Sequence, residues 1–174
     1  MAMKAEEAHA VWAFEEHEHR DLARGINRVH DVACAIGRRP KVEHSVELLE
    51  ILRWMDGTLG PHIAWEEAWL YPEIDAQLGT PWATRAARFD HQQLREVASR
   101  LRADQHLLAN RDVADPQAET RCHLFTLEAL LRAHIEREER FLIPVLEEAK
   151  ATRVADAAAE AEVVAPVASD GASG

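Results

Sequence analysis

The sequence predicts an all-α protein, an up-down-up-down four-helix bundle with a flexible C-terminal tail, on three observations. Helix breakers are few, with 7 Gly and 7 Pro in 174 residues, and Gly37, Pro40, Pro72, Pro81 and Pro116 separate long stretches with apolar residues at three- and four-residue steps. Four such stretches are joined by short connections, the pattern that makes consecutive helices antiparallel neighbours. A constant shift of 72 residues maps the first two stretches onto the last two, as in a repeated helical hairpin.

The first helix is expected over about residues 6–36, with Trp12, His19, Leu22, Ile26, Val29 and Ala33 on one stripe and Gly37 and Pro40 ending it. Glu15 or Glu16 joins that stripe. The second is expected over about 42–70, ending before Pro72, with Leu48, Leu52, Met55, Leu59, His62, Glu66 and Trp69 on its stripe. Gly60-Pro61 interrupts it. Proline removes one backbone hydrogen bond, so a bend is predicted, and the continuing stripe argues against a break. The third begins near Pro81 and fades near Ala109, with Ala87, His91, Leu94, Ala98 and Leu101 inward. The fourth begins at Asp115-Pro116, an N-cap residue followed by proline at the first helical position. It runs to about Glu148 with Leu124, Leu127, Leu131, His134, Glu138, Phe141 and Val145 inward. Residues 1–149 are expected to form the bundle. Residues 150–174 are Ala-rich with a Gly/Ser end and are expected to fray into disorder.

Composition narrows the function. Hydrophobic residues make up 47% and charged residues 29%, which suits a globular domain with a sizeable core. The formal charge of −11 opposes nucleic acid and anionic membrane as partners, because phosphate contact needs a basic face. It does not oppose cations. No run of about 18 apolar residues exists to span a bilayer. The start, MAMKAEEAHA, lacks the basic and apolar regions of a secretory leader. Cys34 and Cys122 are far apart and form no CxxC pattern, which fits reduced thiols in a cytoplasmic protein.

The polar residues on the inward stripes carry the chemistry. HIAWEEAWLYP begins at His62, and its near copy HIEREERFLIP begins at His134. In each, His and Glu lie four residues apart, on one helix face and one turn apart. The shift of 72 maps His19 to His91, His62 to His134, Glu66 to Glu138 and Glu67 to Glu139. His17 maps to Phe89 and lies on the polar face with Asp21, Arg24 and Arg28, so His19 is the inward histidine. Counted from the intervening turns, the four histidines differ in height by at most roughly 5 Å. His19, His62, Glu66, His91, His134 and Glu138 are thus expected to share one layer, beside a layer of Leu22, Leu59, Leu94 and Leu131.

Two carboxylates and four imidazoles with no Lys or Arg in their layer need compensation, because burying an unpaired carboxylate costs several kcal/mol. Cations supply it, and imidazole with carboxylate suits iron, zinc or manganese. Two shared carboxylates with two histidines at each end describe a dinuclear site. The alternative is a buried His/Glu hydrogen-bond network, since HxxxE alone is common on helix surfaces. His9, His17, His30, His44, His106 and His123 fit no common layer, and most are expected to be solvated. Glu67 and Glu139 are either acceptors for a ligand histidine or a solvated pair. Trp12, Trp69 and Phe141 are expected in the core, or lining a small apolar access pocket.

At these residues, EHRDL at His19, HIAWEEAWLYP at His62, DHQQL at His91 and HIEREERFLIP at His134, the chain resembles the hemerythrin-like HHE cation-binding family over roughly residues 10–148. The resemblance implies a non-heme centre of two Fe ions with an oxo or hydroxo bridge, for which Zn or Mn could substitute. His19 and His62 would serve one iron, His91 and His134 the other, with Glu66 and Glu138 bridging. The oxygen-carrying hemerythrins place a second His one turn after the third-helix His, where this chain has Arg95, and an Asp five residues after the last His, where it has Glu139. About four protein ligands per ion leave open positions, which favours reaction with O2, H2O2 or NO over reversible oxygen storage. A fifth ligand, Glu15, Glu16 or Tyr71, would undo that inference. The competing functions are an iron- or oxygen-sensing or iron-handling module, which could engage a protein partner or pair as a homodimer, and a helical scaffold without metal.

Overall fold

The computed structural model describes residues 5–110, 116–148, 151, 152 and 155, with side chains from His19 onward. Four long helices account for nearly all of it: α1 (Ala5–Ala35), α2 (residues 41–78), α3 (Arg85–Ala109) and α4 (residues 117–148). α1 packs on α2 and α4, and α3 packs on α2 and α4. With short connections, this is the up-down-up-down bundle. No strand occurs among the described residues, and no helix there is long and apolar enough to cross a membrane. The predicted N-cap Asp115 lies outside the described residues. Pro116 occupies the cap position and Gln117 is the first helical residue. Of the predicted tail, only residues 151, 152 and 155 are described, and all three are helical.

The α1–α2 connection is tight because Gly37 adopts φ 87°, a left-handed conformation that glycine takes without steric cost. Its N–H donates to Nε2 of His44 (3.3 Å), so His44 carries its proton on Nδ1, 3.2 Å from Glu47 Oε2. His44 is fully buried, unlike the solvated position expected of most histidines outside the common layer. It satisfies a backbone donor at the helix end.

The core divides at one level of the bundle. On one side lies a large cluster that includes the four predicted leucines, Leu22, Leu59, Leu94 and Leu131. Burying each leucine contributes about 1.5–3 kcal/mol. On the other side lies a smaller cluster of Leu70, Tyr71, Ile74, Ala87, Leu142 and Leu146. The predicted histidines and glutamates sit between the two.

α2 does not end before Pro72. It continues to Leu78 and stops at Gly79, whose φ is 64°. Prolines are accommodated by widened turns. π turns occupy Met55–Leu59, Glu66–Leu70 and Glu138–Leu142, each ending two residues before a proline: Pro61, Pro72 and Pro144. Each closes with an N–H to the fifth preceding carbonyl: Gly60 to Met55, Tyr71 to Glu66 and Ile143 to Glu138. In a regular α-helix the proline ring would clash with the carbonyl four residues back. The wider turn re-aims that carbonyl and lets the helix continue.

These turns also change the phase of the stripe. A π turn takes one more residue per turn than the sequence reading assumed. Trp69 and Phe141, expected in the core, are therefore each 66% exposed. Leu70 and Leu142 take their places inside, followed by Ile74 and Leu146. Trp12 lies among residues whose side chains are not described.

Candidate metal centre

Each helix contributes a fixed part of the site. α1 supplies His19 and α3 supplies His91. α2 supplies His62 and, one α turn later, Glu66; α4 supplies His134 and Glu138 in the same way. Both glutamates open a π turn, so their side chains follow α-helical spacing from the histidine while the chain beyond is rephased. All six side chains are buried, and the structure brings all six together.

Their donor atoms form two groups. His19, His62, Glu66 and Glu138 offer one set, and Glu66, His91, His134 and Glu138 the other. Within each set the donor atoms lie within 4.8 Å of one another. Glu66 Oε1 is 2.7 Å from His62 Nε2, and its Oε2 is 3.1 Å from His91 Nε2. Glu138 Oε2 is 3.5 Å from both His19 Nε2 and His134 Nε2. Ring centroids are 5.3 Å apart for His19 and His62, and 4.7 Å for His91 and His134.

With Nε2 turned inward, the opposite ring nitrogens of His91, His19 and His134 face carboxylates. His91 Nδ1 is 2.9 Å from Glu67 Oε1, and Arg95 donates to both oxygens of Glu67 at 2.8 Å. His19 Nδ1 is 3.3 Å from Glu139 Oε1. His134 Nδ1 is 3.8 Å from Asp90 Oδ2, and Arg137 pairs with Asp90. An outer carboxylate within hydrogen-bond reach, as Glu67 is to His91 and Glu139 to His19, fixes the tautomer and orientation of a ligating imidazole. Of the two roles the sequence left open for Glu67 and Glu139, contact with the inward histidines is the one observed. Asp90 and its arginine were not anticipated. Their only signal was Asp90 directly preceding His91.

Tyr71 is fully buried. Its hydroxyl donates to Glu138 Oε1 and lies 3.1 Å from His91 Nε2, and its ring stacks on His91 at 5.3 Å between centroids. Of the three extra donors considered from sequence, Tyr71 alone has a described side chain, and it stands at the centre. Glu15 and Glu16 lie among residues whose side chains are not described.

The electrostatics fit a negatively charged Glu66. Burial pushes the Glu66 carboxyl up, but the facing imidazoles of His134, His62 and His91 outweigh it and hold it well below the usual carboxylate range. Burial alone would lower His62, yet Glu66 raises it. Glu67 is pushed up by desolvation but held low overall by Arg95 and His91.

Both oxygens of Glu66 and Oε2 of Glu138 are buried without a hydrogen bond of good geometry, although histidine nitrogens surround them. Buried polar groups are normally satisfied. Imidazole nitrogens and carboxylate oxygens that converge at one buried level suit a cation between them, and the donor set suits a borderline or hard divalent metal. The residues present therefore fit a pair of metal ions.

Fold and site together define a class: a helical bundle whose core gathers two His/Glu donor sets around shared carboxylates. Residues 11–146 match the hemerythrin HHE cation binding domain, and the chain belongs to that family. No curated protein and no solved structure matches it.

Proposed function

We propose that this chain is a non-heme di-iron protein that binds or reacts with a small oxidant, O2, H2O2 or NO, at the centre formed by His19, His62, Glu66, His91, His134 and Glu138. The observation that carries this reading is the pair of four-donor sets that share Glu66 and Glu138. His19 and His62 would hold one ion, His91 and His134 the other, with both glutamates bridging and an oxo or hydroxo group completing the pair. Zn or Mn would fit the same donors. Iron bound there would supply redox chemistry and open coordination positions, since each ion has about four protein donors.

The chain's own residues do the rest. The leucine layer on one side and Tyr71, Leu70 and Leu142 on the other exclude water. Glu67 orients the imidazole of His91 and Glu139 that of His19, while Asp90 lies 3.8 Å from His134. The Tyr71 hydroxyl holds a proton between Glu138 and His91, where it can be donated to a polar ligand. Cys34 and Cys122 are unpaired thiols, which supports a cytoplasmic setting, and the net charge of −11 supports a chain that binds neither nucleic acid nor membrane.

The test is consumption of H2O2, and separately of NO, by iron-loaded protein against chelator-treated protein. Iron-dependent turnover supports an oxidant-consuming protein. Stoichiometric iron without turnover would replace this reading with an iron- or oxygen-sensing module that acts through a protein partner or a homodimer.

A further inference from the structure

Away from the metal centre, three side chains on the seam between α1 and α4 form a line. Glu128 Oε2 is 2.9 Å from His30 Nδ1, and His30 Nε2 is 3.5 Å from Cys34 Sγ. An ionised carboxylate only accepts, so Nδ1 carries the proton and Nε2 turns its lone pair toward the thiol. The Cys34 S–H donates to it. Arg132 fixes Glu128 by donating to its other oxygen at 3.0 Å. Burial pushes the Glu128 carboxyl up, but His30 and Arg132 hold it below its ordinary value overall. The line is remote from the six donors: His30 follows His19 by 11 residues, about 16 Å along α1.

The internal repeat shows what is particular to this place. Under the shift of 72, His30 corresponds to Arg102, Glu128 to Asp56 and Cys34 to His106. Arg102 and Asp56 form an ion pair between α3 and α2. A pairing of charges across two helices is therefore common to both halves. On the α2–α3 side the cation is a guanidinium, which has no lone pair and keeps its charge. On the α1–α4 side it is an imidazole, which gains and loses a proton near neutral pH. A partly buried thiol stands one helical turn after it, on the same face. Nucleophile, base and orienting carboxylate, each within reach of the next, make the arrangement that activates a thiol.

We infer that Cys34 is a peroxide-reactive nucleophile, a site of thiol oxidation with His30 as its base and Glu128 as the residue that orients the base. Transfer of the thiol proton to Nε2 leaves a thiolate beside an imidazolium that Glu128 stabilises. The sulfur attacks one oxygen of H2O2, an S–O bond forms and the O–O bond breaks. The departing hydroxide takes the proton from Nε2 and leaves as water. Sulfur is oxidised by two electrons to a sulfenic acid, and the peroxide is reduced. Acyl transfer suits the site less well. Cys34 lies within α1, so its own N–H is engaged in the helix and is not free to receive an oxyanion. Attack on peroxide needs a proton for the leaving oxygen, and His30 holds one. The reaction needs no metal and does not depend on the dinuclear reading.

The experiment uses the chelator-treated full chain, so that no bound metal consumes peroxide. The chain has two cysteines, so Cys122→Ser leaves Cys34 as the sole thiol, and Cys34→Ser leaves the exposed Cys122 as the reference. Sulfenic acid formed by H2O2 is trapped with dimedone and followed by intact mass. Cys34 should react roughly tenfold or more faster than Cys122. With Cys122→Ser in place, His30→Gln should remove most of that advantage. Glu128→Gln, which keeps an acceptor for Nδ1 without its charge, should slow the reaction by a smaller factor. The His30 side chain is 48% exposed, and circular dichroism checks that each variant keeps its helices. The comparison of the two cysteines stands even without the other variants. A Cys34 rate no higher than that of Cys122, or one that either substitution leaves unchanged, would overturn the inference.

Discussion

Replacing Glu66 with leucine separates a metal ligand from a structural hydrogen-bond hub. Glu66 is fully buried, and leucine is of similar volume. Glu66 raises His62, whose imidazole can lose its proton when the carboxylate is gone, so the variant leaves no stranded cation there. Replacing a buried ion pair by a well-packed apolar residue is commonly neutral, or stabilising by about 1–4 kcal/mol. In chelator, Glu66→Leu should therefore melt at or above the wild-type temperature. With metal the order should reverse. An ion at a thousandfold its dissociation constant adds about 4 kcal/mol per site, and each kcal/mol moves the melting temperature of a chain of this size by about 2–4 °C. Two ions should thus raise the wild-type melting temperature by roughly 15–30 °C. Because Glu66 belongs to both donor sets, the variant should lose most of that rise. Calorimetry with chelator and with iron(II) under anaerobic conditions gives both numbers. A variant that loses about 3 kcal/mol or more in chelator, yet keeps the full metal-dependent rise, would refute the reasoning, since that is how a buried network without metal behaves.

Three further predictions concern the surrounding residues. Glu67→Ala frees His91 Nδ1 and leaves Arg95 without its partner, and should weaken metal binding by about 10–100-fold in a competitive chelator titration while the fold survives. Tyr71→Phe removes the donor to buried Glu138 and should cost about 1–3 kcal/mol in denaturant unfolding of the chelator-treated protein; if the phenol also binds iron, the variant should lose a visible charge-transfer band. The pH dependence in chelator follows from Glu66 and His62. The Glu66 pKa is lowered from 4.5, so its contribution is present above pH 4.5 and is lost as the pH falls through its folded value. The His62 pKa is raised from 6.5, so its contribution is present below pH 6.5 and is lost as the pH rises through its folded value. Thermal unfolding across pH should show both contributions intact between pH 4.5 and 6.5 and a decline on either side. With metal bound, stability should keep rising above pH 6.5, because ligation requires deprotonated imidazoles.

The inward layer was legible because two independent signals coincide there. Apolar periodicity places His19, His62, His91 and His134 on core stripes, and the shift of 72 requires the two hairpins to present them at matching heights. The leucine layer followed from the same register and is buried as expected. Past Glu66 and Glu138 the register failed, because a regular period of 3.6 cannot see a π turn. That put Trp69 and Phe141 inside instead of Leu70 and Leu142. The signal was present in the prolines, since Pro61, Pro72 and Pro144 each demand relief from the preceding carbonyl, but one bend was predicted where three widened turns occur. The arginine clamps were not legible. Arg95 and Arg137 lie one shell outside the stripe, and only the folded positions of α2, α3 and α4 join them to Glu67 and Asp90. His44 was missed because a buried histidine that accepts a backbone N–H across a turn leaves no periodic trace.

The most direct measurement is metal quantitation on protein purified without chelator or reconstituted with iron(II), joined to an optical spectrum after reduction and re-exposure to air. About two irons per chain with oxo-bridge charge-transfer bands is the predicted result, and Glu66→Leu should abolish the bands. A chain that retains less than one equivalent of any transition metal, with the six donors still buried at one level, would contradict a dinuclear centre.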